Sequence, residues 1–142
     1  LLLMCLIAGR RAAIPTSRVL SVIEIEAVTP IPLTPDFIVG LTALRSQALT
    51  VIDCRVSLGF EPSAGVIGSR AAVIEHEGHR YALLVDEAFD VAEALSEPEP
   101  VPGGFGAGWR QAATGMIETD SGPALLVDVE QLILGPCQAA AA

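Results

Sequence analysis

The side chains best suited to chemistry lie in His76-Glu77-Gly78-His79, where two imidazoles flank a carboxylate. A zinc-binding H-E-x-x-H places its histidines one helical turn apart, a spacing this string lacks, and the string falls at an expected hairpin turn. Strand alternation is expected to send the two imidazoles to opposite faces. With no cysteine or third histidine nearby, they read as solvated turn residues rather than as metal ligands. A small metal-dependent hydrolase using His76, His79 and the nearby glutamates is kept as a distant alternative.

Other chemistries have less to stand on. No serine sits in G-x-S-x-G, and Gly68-Ser69-Arg70 belongs to a linker ahead of a strand rather than to a nucleophile elbow. The run Gly103-Gly104-Phe105-Gly106-Ala107-Gly108 has no following Lys, and no regular helix is expected behind it to hold a phosphate. Glu24 with Glu26, Glu75 with Glu77 and Glu97 with Glu99 could each share a face, but nothing around them predicts the burial that would raise a carboxyl pKa to make a general acid. Cys5, Cys54 and Cys137 are odd in number and far apart, which suits free thiols, with Cys5 and Cys54 read as small core hydrophobes. The residues therefore predict no catalytic group, no metal and no cofactor.

Composition limits the partners. The chain has 142 residues, 51% apolar and 18% charged, enough for one ordinary domain. Its basic residues number 8, all Arg, against 17 acidic ones, for a net charge of −9. They are scattered singly apart from Arg10 and Arg11, so no cationic stripe tracks a nucleic acid and no polybasic patch binds anionic lipid. The opening run Leu1 to Ala8 is too short to span a bilayer and is read as a buried strand, so no direct membrane insertion is expected.

Internal similarity organises the rest. Gly9-Arg10-Arg11-Ala12-Ala13-Ile14 reads like Gly78-His79-Arg80-Tyr81-Ala82-Leu83, and in the same register Val19 and Val22 match Ala88 and Val91. Gly40 and Asp53 are spaced as Gly115 and Asp128 are, giving an order A-B-A′-B′. Each A segment has the pattern of a hairpin with a short loop. Each B segment is an apolar strand leading to Asp, then a brief helix ending at Gly59 or at Gly135. Both aspartates read as helix caps, each worth about 1 kcal/mol, and Asp128 with Gln131 has the spacing of a capping box. Residues 96 to 108, rich in Pro and then Gly, read as a surface loop. Five strand-like segments per half predict two small barrels that pack together or interleave as one cooperative unit over residues 1–136, followed by a frayed tail at 137–142.

One stretch carries a family signature. Thr34-Pro35-Asp36-Phe37-Ile38-Val39-Gly40-Leu41-Thr42-Ala43-Leu44-Arg45-Ser46, running into Val51-Ile52-Asp53-Cys54-Arg55 and Leu58-Gly59, resembles the P-x-F-I-x-G…N-L-R-G and hydrophobic-D-L-R pattern of CheW-like domains. The resemblance extends to Gly78 through Asp86 and to Gly115 through Leu132. Ala43 stands where the family has Asn, Ser46 where it has Gly and Cys54 where it has Leu. Ser46 points to a different turn type or to mild strain, which puts partner affinity rather than architecture in doubt.

The resemblance implies a mainly β fold of two intertwined five-stranded SH3-like β-barrels with short helices. It implies a cytoplasmic, non-enzymatic chemotaxis adaptor at receptor arrays, bridging methyl-accepting chemoreceptor cytoplasmic tips to the regulatory domain of a CheA-type histidine kinase, with no cofactor. Arg45 matches the signature Arg associated with the receptor-contacting surface. Val19, Ser21 and Val22 fall in the segment resembling the interaction groove, and Phe37 and Ile38 are placed near it. From the residues alone, Val19 and Val22 read equally well as core. An alternative keeps the fold but makes the chain a CheW-like regulatory module of a larger kinase or receiver-bearing adaptor, since the sequence opens on Leu rather than Met.

Overall fold

The computed structural model describes residues 1–135; the expected frayed tail at 137–142 lies outside them. The first half supplies strands β1 (Leu2–Ile7), β2 (Arg10–Pro15), β3 (Val19–Glu24), β4 (Ile38–Leu44) and β5 (Gln47–Asp53), then the one-turn helix α1 (Cys54–Ser57). The second half supplies β6 (Arg70–His76), β7 (His79–Val85) and β8 (Glu87–Ala92). These are followed by α2 (Ala107–Ala112), β9 (Ala113–Thr119), β10 (Gly122–Val127) and α3 (Val129–Leu134).

The ten strands form two five-stranded sheets in the orders β8-β1-β2-β10-β9 and β3-β6-β7-β5-β4. The two orders are the same once each strand of one half is replaced by its repeat counterpart in the other. Each sheet is built from hairpins of both halves, joined by the parallel pairs β2–β10 and β5–β7.

Burial explains the apolar runs. Leu3, Cys5 and Ile7 of β1 join Ile52, Ile74 and Leu83 of the other sheet in a shared core that also takes in Trp109 and Leu132. The alternate residues Leu2 and Met4 point into a second cluster inside their own sheet, with Ala13, Ile117 and Ala124. The counterpart cluster in the other sheet contains Ile25, Leu49, Val51, Val73 and Leu84. A central strand buried on both faces must be apolar at every position, which is why Leu1 to Ala8 shows no alternation.

The repeat glycines have one cause. A Cβ on Gly40 would strike the Thr29 carbonyl oxygen, and one on Gly115 the Glu99 carbonyl oxygen. Each glycine lies beside a bridge that crosses its strand, Thr29 with Leu41 and Glu99 with Met116.

Three expectations need correction. The capping box does not form: the Asp128 N–H donates to the Ala112 carbonyl, and the Gln131 side chain accepts from Gln111 instead of closing on Asp128. The packing of α2 against α3 satisfies both groups through tertiary contacts. The stretch 96–108 is not loop throughout, because Ala107 and Gly108 open α2. Gly108 serves close packing there, since a Cβ on it would strike the Leu58 backbone at the end of α1. His76 and His79 do not face opposite ways. They are directly paired across the β6–β7 turn, which puts both side chains on one face; the chain reverses between them, so parity along the sequence does not apply.

Candidate functional site

The β4–β5 hairpin closes on Arg45-Ser46, flanked by the pair Leu44 and Gln47. Both loop residues have positive φ, 52° and 69°, as a two-residue type I′ turn requires. The same loop geometry recurs at Ala8-Gly9 and Glu77-Gly78, where glycine takes the second place. At Ser46 an L-residue with a Cβ adopts it, which is where the mild strain suggested by the sequence is located; the repeat counterpart, the Asp120-Ser121 turn between β9 and β10, has no positive φ at either residue. The turn projects Arg45 into solvent at its tip.

Beside this hairpin runs the sheet edge β3. Ser21 and Ile23 are half-buried on its inner face, whereas Leu20 and Val22 are 52% and 39% exposed on the other. Between β3 and the hairpin lies a groove of about 350 Å³, lined by Ser21, Val22, Leu44 and Arg45, with Arg80 from β7 and Val73 from β6. Val73 belongs to the apolar cluster inside this sheet, against which Ile23 and Leu44 also pack. The groove is thus the open end of that interior, and no Asp or Glu lines it.

Of the six residues singled out from the sequence, Arg45, Ser21 and Val22 meet in this groove. The other three do not. Val19 and Ile38 are half-buried against the shared core. Phe37 is 7% exposed, and its ring lies against Gly135. Arg80, which the sequence marks by its match to Arg11 in the repeat and by its place in the resembling stretch Gly78 to Asp86, was not singled out as a binding residue.

Elsewhere the polar groups support the fold. Arg55 makes two hydrogen bonds of 2.9 Å to the Asp86 carboxylate, and Asp86 also accepts the Gly9 N–H at 2.9 Å. That hydrogen bonding raises the Arg55 pKa further and fixes its charge. Asp53 accepts from the Arg55 N–H and from both the backbone N–H and the hydroxyl of Ser63, so it caps α1 and pins the following loop. Asp128 caps α3 through the Glu130 N–H. Burial, with a smaller contribution from the Asp86 charge, pushes the Cys5 thiol up to about 12, and burial raises Cys54 as well. Both are neutral thiols at physiological pH and poor nucleophiles.

Among the described residues no three His, Cys, Asp or Glu side chains converge as a metal site. No described helix is long and apolar enough to cross a membrane. A second cavity of about 340 Å³ lies among the three helices, lined by Ser57, Leu58, Gly108, Ala112 and Gln131.

The family model described as CheW-like domain matches residues 1–135. A Rhizobium etli protein described as a probable chemotaxis protein CheW is 29% identical over 118 residues, covering 80% of this chain and 76% of that protein. Protein FrzA of Myxococcus xanthus is 42% identical over 43 residues, 30% of this chain and 27% of FrzA. The crystal structure of the scaffolding protein TtCheW from Thermoanaerobacter tengcongensis matches with a TM-score of 0.76, over 92% of this chain and 85% of that one. Its sequence identity is 23%, so this match speaks for the fold.

Proposed function

This chain belongs to the CheW-like domain family, and from that premise we propose that it is a chemotaxis adaptor that couples chemoreceptors to a CheA-type histidine kinase. It does so by protein–protein binding, without catalysis, in the cytoplasm at receptor arrays. Its partners are the cytoplasmic tip of a methyl-accepting chemoreceptor and the regulatory domain of the kinase.

The observation that carries the reading is the meeting of Arg45, Ser21 and Val22 in one groove at an exposed sheet edge. A strand edge offers unpaired backbone groups, and a groove with an apolar floor accepts an amphipathic segment. An Arg at the rim can grip carboxylates or carbonyl oxygens with its planar fork. Phe37 and Ile38 contribute from behind by packing the start of β4, and Val19 by anchoring the start of β3. Residues 1–136 act in this reading as one domain of two repeated halves.

Titration of the protein and its Arg45→Ala variant against a cognate receptor tip, and separately against the kinase regulatory domain, tests the reading. Loss of Arg45 should weaken tip binding about tenfold while leaving the kinase domain bound, because a well-placed interface Arg contributes about 1–2 kcal/mol. If the parent chain bound neither partner at tens of micromolar, the adaptor function would be wrong.

A further inference from the structure

We propose that Arg80 is a second binding residue of the groove, and that Arg45 and Arg80 together grip carboxylates of an acidic amphipathic segment on a protein partner. The inference rests on the adaptor reading and specifies the chemistry of the partner.

Three observations lead to it. The first is local charge: the molecule carries −9 overall, yet two of its eight cations line one groove that contains no acidic residue. The second is that these cations are unspent. The ion pairs among the described residues are Arg55 with Asp86 and His76 with Glu77, and neither Arg45 nor Arg80 donates a hydrogen bond among them. Glu75, the exposed cross-strand partner of Arg80, does not pair with it.

The third is the repeat. The counterpart of Arg80 is Arg11, and that of Arg45 is Asp120. Arg11 donates to the Ser121 carbonyl and stands 5.8 Å from the centre of the Phe89 ring. The Asp120 carboxylate accepts the Glu93 N–H at 3.1 Å. The same place in the first sheet is therefore satisfied by its own chain, while in the second it holds two guanidinium groups without partners among the described residues, over an apolar floor. An occupant complementary to it supplies an apolar side chain for Val73 and Ile23 and carboxylates for the two arginines.

The test uses the full chain and a recombinant cognate receptor tip. Arg80→Glu should weaken tip binding about tenfold or more through like-charge repulsion, and Arg80→Gln about threefold. Arg110→Glu on α2, away from the groove, makes the same change in net charge and should leave affinity within about twofold. Because Arg80 has no internal partner, Arg80→Gln should melt with the parent, whereas Arg80→Glu faces Glu75 across the strand pair and should lose up to about 1 kcal/mol while staying folded. Lys replacements of single carboxylates in the tip should include one that restores binding to Arg80→Glu. If the parent binds the tip but Arg80→Glu behaves like Arg110→Glu, or if no replacement rescues it, the clamp is wrong and the adaptor reading stands. If the parent binds no tip at all, the two fall together.

Discussion

Asp53 and Asp128 hold the same place in the repeat, but their surroundings make them unequal. Each begins a short helix by accepting a backbone N–H two residues on, and an N-cap of this kind is worth about 1 kcal/mol. Asp53 is 3% exposed and has two further donors in Ser63, whereas Asp128 is half-buried and has none beyond the cap. Removing Asp53 also strands the Ser63 N–H, and leaving such a group unpaired costs about 1–3 kcal/mol. Asp53→Ala should therefore lose about 2–3 kcal/mol in urea unfolding and Asp128→Ala about 1 kcal/mol. Equal losses would mean that the Ser63 bonds contribute nothing. The sequence placed both aspartates as caps because capping is local, but Ser63 lies ten residues away across a loop whose path no spacing encodes.

The hairpin that carries Arg45 is strained at its turn. A type I′ loop favours glycine or asparagine, because an L-residue with positive φ crowds its Cβ against the backbone, at a cost of about 1 kcal/mol. Ser46, with φ 69°, bears that cost at the position where the family signature has glycine. Ser46→Gly relieves it but loosens the unfolded chain, so the net gain should be about 0.5 kcal/mol, read as a Tm rise of about 1–3 °C. An unchanged or lower Tm would show that the turn is not strained. At this scale the sequence was read well for strands and poorly for α2. Hairpins announce themselves by apolar runs around a short turn, whereas Ala107–Ala112 buries only Trp109 and Ala112 and begins in a glycine-rich stretch, so its place is set by tertiary packing against α3 and the end of α1. The family resemblance singled out Arg45, Ser21 and Val22, and the structure brings these three together in one groove. The resemblance did not single out Arg80, which reaches the groove through the long-range pairing of β7 with β5 and of β6 with β3.

For the whole molecule, the exchange of hairpins means that neither half contains a complete sheet. The first sheet needs β8, β9 and β10 from the second half, and the second sheet needs β3, β4 and β5 from the first. The alternation A-B-A′-B′ was visible as repeated glycines and aspartates, but which strand pairs with which is a long-range choice that leaves no periodicity in the chain. A shared core of residues from both sheets ties the two together. Damage inside either sheet should then be felt by the entire protein. Met4 fills the cluster inside the first sheet and Leu49 the one inside the second, and both are fully buried. Met4→Ala and Leu49→Ala should each cost about 2–5 kcal/mol. Both should shift one common urea transition, with Trp109 fluorescence and far-ultraviolet circular dichroism remaining coincident. Trp109 lies in the shared core, so its signal reports loss of contact between the sheets, whereas circular dichroism reports the strands themselves. If either variant split the transition, with circular dichroism lost in two steps, the sheets would be separately stable. The interleaved topology would then not produce one cooperative unit.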